Sequence, residues 1–121
     1  MNKSKNTKIA IIGLWHQGIV AAACLADLGF YVTASDQDKK KINDLSKGLV
    51  PIFEPGLQEL IEKGLKNGRL KFITDMSLAV CDKEFVFLMF DTKVNENDNT
   101  DLTDIFYSID IFSKSLRNDC I

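Results

Sequence analysis

Residues 8–18 read KIAIIGLWHQG, a short run rich in β-branched residues that ends at one glycine and leads five positions later to another. A brief, uninterrupted apolar run such as Ile9–Ile12 is typical of a strand that is buried on both faces. Residues 19–28 are almost entirely apolar and rich in alanine, which favours a helix that packs closely against a sheet. The stretch therefore predicts a strand, a tight turn and a helix.

The rest of the chain alternates between strand patterns and helix patterns. Further strands are predicted at Tyr31–Ser35, Leu70–Ile73 and Phe85–Phe90, and a fifth is due to begin at Asp119–Ile121. The Phe85–Phe90 run is apolar throughout, so we expect it to be buried on both faces. This alternation predicts an α/β fold of the Rossmann type, in which a doubly wound parallel sheet carries helices on both faces.

Helix patterns lie between these strands. Helices are predicted over residues 38–47, from Pro55 to Asn67, and over residues 76–81. A last helix is predicted from one apolar stripe, made of Leu102, Ile105, Phe106, Ile109, Phe112 and Leu116. Residues 93–101 predict a polar loop. This loop lacks the glycine and the final glutamate of a calcium-binding loop, so no metal site is predicted.

Length and charge limit the class of protein. The chain has 121 residues, which fits one domain over residues 1–121, and 15 basic against 17 acidic residues give a formal net charge of −2. This balance disfavours a nucleic-acid partner. No apolar run is long enough to span a bilayer, so we expect a cytoplasmic protein without membrane attachment. The three cysteines are widely spaced, which predicts neither disulfides nor a zinc site, and Cys24 is expected to be buried.

The segment between the first strand and the first helix occupies the position of a dinucleotide-binding fingerprint. Its glycines would permit a tight turn and close helix packing, and the free amides at the helix start would face a pyrophosphate. Trp15 replaces the second glycine, so its side chain is expected to turn away from the ligand. His16 is the only histidine, and a backbone role is favoured over catalysis. The candidate cofactor-binding residues in this segment are Gly13, Leu14, Trp15, His16, Gln17 and Gly18.

An acidic residue follows the second strand at the distance that the fingerprint requires. Asp36 lies 18 residues after Gly18, and its carboxylate could accept hydrogen bonds from adenosine ribose hydroxyls. The alternative is a solvent-exposed or helix-capping aspartate. A carboxylate at this position would repel a 2′-phosphate, which favours NAD over NADP, although the Lys39–Lys41 run could offset the repulsion.

Together these residues resemble the N-terminal NAD-binding domain of the UDP-glucose/GDP-mannose 6-dehydrogenase family, over residues 8–121. The most specific match is Pro51-Ile52-Phe53-Glu54-Pro55-Gly56-Leu57, a segment that ordinary Rossmann domains lack. Ala26-Asp27-Leu28-Gly29, Gly68-Arg69-Leu70 and Thr74-Asp75 also fit, and the Gly-Leu-Trp-His loop suggests a branch of the family. The resemblance implies that Lys41 reaches the adenosine ribose and that Thr92 contacts the cofactor.

The resemblance also implies a reaction for the full enzyme. It would oxidise the C6 alcohol of a nucleotide sugar to a carboxylate with two NAD molecules, through a cysteine thiohemiacetal and thioester, as part of polysaccharide biosynthesis. The full enzyme is expected to be a homodimer. Its catalytic cysteine and sugar-nucleotide domain lie outside this sequence, so the chain is expected to be the front part of a larger protein and inactive alone. The alternatives are a non-catalytic dinucleotide-binding module and an S-adenosylmethionine-dependent methyltransferase, which the Glu54–Leu57 segment disfavours.

Overall fold

A four-stranded parallel sheet forms the centre of the protein. The computed structural model describes residues 6–91, 93–94 and 96–121. The strands are β1 (Lys8–Ile12), β2 (Tyr31–Ser35), β3 (Leu70–Ile73) and β4 (Phe85–Leu88), in the spatial order β3-β2-β1-β4. The chain order reverses between β1 and β4, and ligands of doubly wound sheets bind at the carboxyl ends of the strands at such a point.

Helices cover both faces of this sheet. They are α1 (His16–Asp27), α2 (Lys39–Ser46), α3 (Leu57–Lys66), α4 (Met76–Val80) and α5 (Thr103–Phe112), the last continuing as a 3₁₀ turn over Ser113–Ser115. α1, α2 and α3 pack on one face of the sheet, whereas α4 and α5 pack on the other. The predicted Rossmann-type architecture is therefore confirmed. No helix among the described residues is long and apolar enough to cross a membrane.

Alternate residues of β1 supply the two cores. Ile9 and Ile11 pack with the alanine-rich face of α1, while Ala10 and Ile12 pack against α4 and α5. All four side chains are buried, as a central strand of a parallel sheet requires. The prediction for this strand is confirmed.

The prediction that the fourth strand is buried on both faces is wrong. Phe85, Phe87 and Leu88 remain between 36% and 41% exposed. β4 is the edge strand of the sheet, because only its β1 side pairs with another strand of the described chain. On its other side the Ile121 amide donates to the Glu84 carbonyl oxygen and the Val86 amide donates to the Ile121 carbonyl oxygen, at 3.0 and 2.8 Å. This is the pattern of a parallel pairing, at the residue where a fifth strand was predicted to begin.

The predicted stripe of the last helix is also wrong in part. Phe106 is 61% exposed, whereas Ser108 and Phe112 are buried. Leu102 only caps the helix, and Leu116 lies beyond it. The buried face follows a spacing of three or four residues that ends at Phe112, and Phe106 falls off that face.

Two other expectations also fail. Cys24 is exposed, because the buried face of α1 consists of Gly18, Ile19, Ala22, Ala23 and Ala26 and the cysteine lies beside it. The segment predicted as a polar loop contains a short antiparallel hairpin, β5 (Lys93–Val94) with β6 (Thr100–Asp101).

Candidate dinucleotide-binding site

The turn that leaves β1 depends on glycine. Gly13 has φ +97°, which L side chains rarely adopt, and its amide donates to the Ser35 carbonyl oxygen at 2.9 Å. A Cβ added at Gly13 would lie 3.0 Å from the backbone nitrogen of Phe90. The chain therefore brings the ends of β1, β2 and β4 together at this turn.

The second glycine brings α1 against the same turn. A Cβ at Gly18 would lie 2.0 Å from the Gly13 carbonyl oxygen, so no other residue fits without moving the helix. The helix consequently starts directly above the carboxyl end of β1.

The first turn of α1 exposes backbone donors to the cleft. Trp15 is the N-cap, and its side chain makes no capping hydrogen bond. Within the part of the chain that the structure describes, no hydrogen bond occupies the amides of His16, Gln17 or Gly18. Free amides and the helix dipole make such a turn attractive to an anionic group.

Asp36 is fixed opposite this helix start. It is 9% exposed and follows β2 directly. Its Oδ2 accepts a hydrogen bond from the Leu14 amide and its Oδ1 accepts one from the Asp38 amide, each at 2.9 Å. The cap of α2 is Asp38, whose Oδ1 accepts from the Lys41 amide at 3.1 Å. Asp36 is therefore neither solvent-exposed nor the capping residue.

The three lysines of the basic run take different positions. Lys41 Nζ lies 3.5 Å from Asp36 Oδ2, and its side chain is only 17% exposed. Lys40 points outward and pairs with Asp44 at 3.0 Å. Lys39 lies beside a different surface groove, with Thr74 and Tyr107. Lys41 is thus the lysine of the run that reaches the candidate site.

Trp15 does not turn away from the cleft that Asp36 lines. Its ring stacks under the Lys41 ammonium, with Nζ 4.5 Å from the ring centroid. The cleft is lined by Trp15, Asp36, Gln37, Phe90, Asp104 and Ser108. The indole therefore forms one wall of this cleft, on the side where Asp36 lies.

Some contacts at the site were not anticipated from the sequence. His16 Nε2 lies 3.2 Å from Glu54 Oε2, so the Glu-Pro-Gly-Leu segment reaches the start of α1. The unusual composition of that segment was a signal, although it did not reveal the partner. Ser108 and Asp104 also line the cleft, and the Ser108 hydroxyl donates to the Asp104 carbonyl oxygen at 2.8 Å. Because these two polar residues are four positions apart on an otherwise apolar helix, they could have indicated that this face of α5 lines a polar cleft. Thr92 lies outside the described residues.

Comparison with known proteins shows which family has this arrangement. Residues 7–121 match the model of the UDP-glucose/GDP-mannose dehydrogenase family, NAD binding domain. The chain belongs to this family. It is 36% identical over 96 residues to the UDP-glucose 6-dehydrogenase TuaD of Bacillus subtilis, covering 79% of this chain and 21% of that protein. It is 38% identical over 95 residues to the GDP-mannose 6-dehydrogenase of Pseudomonas aeruginosa, covering 78% and 22%.

A solved structure gives the same result at the level of the fold. A ternary complex of GDP-mannose dehydrogenase from Pseudomonas aeruginosa superposes with a TM-score of 0.86 and 34% identity, over 91% of this chain and 25% of that one. The chain thus spans about a fifth to a quarter of the length of these dehydrogenases. It is the NAD-binding domain of the family, and family membership excludes the methyltransferase alternative.

The site has the features that a nicotinamide dinucleotide requires. Free amides at a helix start suit a pyrophosphate, and a fixed carboxylate suits a ribose diol. The two glycines allow the turn and the start of α1 to pack closely, because a Cβ at either position would lie 3.0 Å or less from backbone atoms. NAD itself supplies hydride transfer when it is bound, so the residues of this chain need only hold and orient it.

Proposed function

We propose that this domain binds NAD across the carboxyl ends of β1, β2 and β4. The pyrophosphate would lie against the amides of His16, Gln17 and Gly18, and the adenosine ribose would lie against Asp36. The observation that carries the proposal is the hydrogen bond from the Leu14 amide to Asp36 Oδ2, at 2.9 Å. It fixes the carboxylate and the glycine turn relative to each other before any ligand arrives.

Each further residue at this site has a specific role in the proposal. Gly13 and Gly18 shape the loop, and Leu14 orients Asp36 through its amide. Lys41, whose Nζ lies 3.5 Å from Asp36 Oδ2, would contact the same ribose. Thr92, which follows β4, contacts the cofactor as the family resemblance implies. No group here is proposed to be catalytic.

Asp36 also accounts for the choice of NAD. A 2′-phosphate would place about two negative charges next to the Asp36 carboxylate, whose side chain is 11% exposed. Repulsion in such a poorly solvated place is stronger than at the surface. We therefore expect NADP to bind more weakly than NAD.

Isothermal titration calorimetry with Asp36→Asn tests this proposal. Asparagine keeps the size of the side chain but removes the charge and one acceptor oxygen. Hydrogen bonds to charged groups contribute about 1.5–3 kcal/mol, so NAD affinity should fall roughly tenfold to a hundredfold. The discrimination against NADP should fall as well.

Asp44→Asn is the matched control. It makes the same chemical change on α2, at a partly exposed position where, among the described residues, the Asp44 carboxylate pairs with Lys40. NAD affinity should stay within about twofold of the unmodified chain. Equal losses in the two variants, or no NAD binding by the unmodified chain, would contradict the proposal.

We also propose the activity of the whole protein to which this domain belongs. By analogy with the relatives, it oxidises the C6 alcohol of a UDP- or GDP-linked hexose to a carboxylate with two NAD, as a cytoplasmic homodimer in polysaccharide biosynthesis. The whole protein should form two NADH per sugar, measured by absorbance at 340 nm. The 121-residue chain should bind NAD but form no NADH. NADH formation by the chain alone would contradict this division of roles.

A further inference from the structure

The ammonium of Lys41 is held between a carboxylate and an indole. Nζ lies 3.5 Å from Asp36 Oδ2 and 4.5 Å from the centroid of the Trp15 ring. We propose that Trp15 is a positioning residue that holds Lys41 against Asp36 and thereby strengthens the preference for NAD over NADP. This inference rests on the proposed binding of NAD at Asp36.

Lys41 lies beside two residues that line the cleft, Trp15 and Asp36. Its side chain is 17% exposed and that of Asp36 is 11% exposed, so both charges are largely withdrawn from water. An ammonium has three donors but no acceptor. One direction is satisfied by Asp36 at a long distance, and the ring face supplies a second, weaker attraction. Without the ring, the 3.5 Å contact with Asp36 would be the one ion pair that restrains this side chain among the described residues.

A restrained lysine and a free lysine differ in what they do for a 2′-phosphate. Held against Asp36, Lys41 is already paired and cannot turn toward an added phosphate without losing both contacts. Released from the ring, its flexible four-carbon stem would let the ammonium move to the phosphate. Lys40 is paired with Asp44 and Lys39 lies beside another groove, so neither replaces Lys41 there.

Trp15, which stands where the dinucleotide fingerprint has its second glycine, thus has a role in this proposal. A glycine at position 15 would offer no ring to Lys41. Trp15 provides one, and its position as the N-cap of α1 fixes where that ring begins. The substitution therefore couples the phosphate-binding turn to the ribose-binding pair.

The test is the ratio of the dissociation constants for NADP and NAD, measured by calorimetry on the 121-residue chain. Trp15→Leu should lower this ratio about threefold to tenfold, as expected for the loss of one cation–π contact. Trp15→Phe keeps a ring and should stay within about twofold of the unmodified chain. In a Lys41→Met background, Trp15→Leu should leave the ratio unchanged.

A second measurement does not depend on a Trp15 variant. Trp15 is the only tryptophan in the sequence, so the tryptophan emission comes from the side chain that contacts Lys41. Lys41→Met should shift the emission maximum because it removes a charge close to the ring. Lys40→Met, which removes the neighbouring exposed charge, should not. Far-ultraviolet circular dichroism checks that each variant is folded.

The outcomes separate this inference from the proposed function. If Trp15→Leu weakens NAD and NADP equally, or if Lys41→Met leaves the emission unchanged, the inference is wrong while NAD binding stands. If the unmodified chain binds no NAD, the proposed function fails and this inference fails with it. If Trp15→Leu lowers the ratio of the NADP and NAD dissociation constants and Trp15→Phe does not, the result supports the positioning role.

Discussion

Replacement of Gly18 by alanine tests whether the close packing of α1 against the Gly13 turn outweighs the helix propensity that alanine adds. The new Cβ would lie 2.0 Å from the Gly13 carbonyl oxygen and 3.1 Å from its carbonyl carbon. Ordinary contact begins near 3.4 Å, so the start of α1 would have to move by about 1.4 Å. The obstacle is backbone at the end of β1, which cannot turn aside as a side chain can.

The expected loss follows from two opposing terms. Forcing extra volume into a packed place costs about 1–3 kcal/mol, and more where the neighbour is rigid. Alanine in place of glycine within a helix recovers about 1 kcal/mol. We expect the free energy of unfolding to fall by about 2 kcal/mol, which lowers the melting temperature by roughly 8 °C in a chain of this size.

Gly64 in α3 provides the matched comparison. A Cβ there would meet Leu70 Cβ at 2.9 Å and Leu70 Cδ2 at 3.3 Å, an approach about 0.9 Å less close than the 2.0 Å at Gly18. Gly64→Ala gains the same helix propensity, so its melting temperature should change by less than about 3 °C. Thermal unfolding followed by circular dichroism compares the two variants. A larger loss for Gly64→Ala than for Gly18→Ala would refute the packing argument.

Two other predictions concern groups outside the candidate site. The hydrogen bond that Lys8 donates to Asp82, at 2.9 Å, lowers the pKa of Asp82 below its ordinary value of 3.8. The pair therefore stabilises the fold above pH 3.8, and this contribution is lost as the pH falls through the lowered pKa. Asp82→Asn should therefore lower the melting temperature at pH 7 but not at about pH 2, and the effect should be small because the pair is exposed. An equal change in melting temperature at both pH values would contradict this. Cys24 and Cys81 are exposed, whereas burial raises the pKa of Cys120, so Cys24→Ser should remove one of two fast-reacting thiols in a disulfide-exchange assay. A loss confined to the slow phase would contradict the placement of Cys24.

Local patterns determined the architecture and much of the candidate site. The run Ile9–Ile12, the glycine turn after it and the alanines of α1 lie within about 20 residues of each other. Periodicity and turn preference act over such distances, so the sequence alone predicted the strand, the helix and the position of Asp36. The same reasoning predicted the order of β1 to β4 and of the five helices along the chain, but not the β5–β6 hairpin.

The tertiary structure decided which faces are covered and which side chains meet. β4 has the composition of a central strand, yet among the residues that the structure describes only β1 and Ile121 pair with it, so its apolar side chains stay partly exposed, because burial depends on what packs beside a strand and not on its own residues. The contact of His16 with Glu54 and the stack of Lys41 on Trp15 join residues 38 and 26 positions apart. No periodic pattern encodes such pairs, since they form only when the helices and the segment before α3 are packed against the same turn.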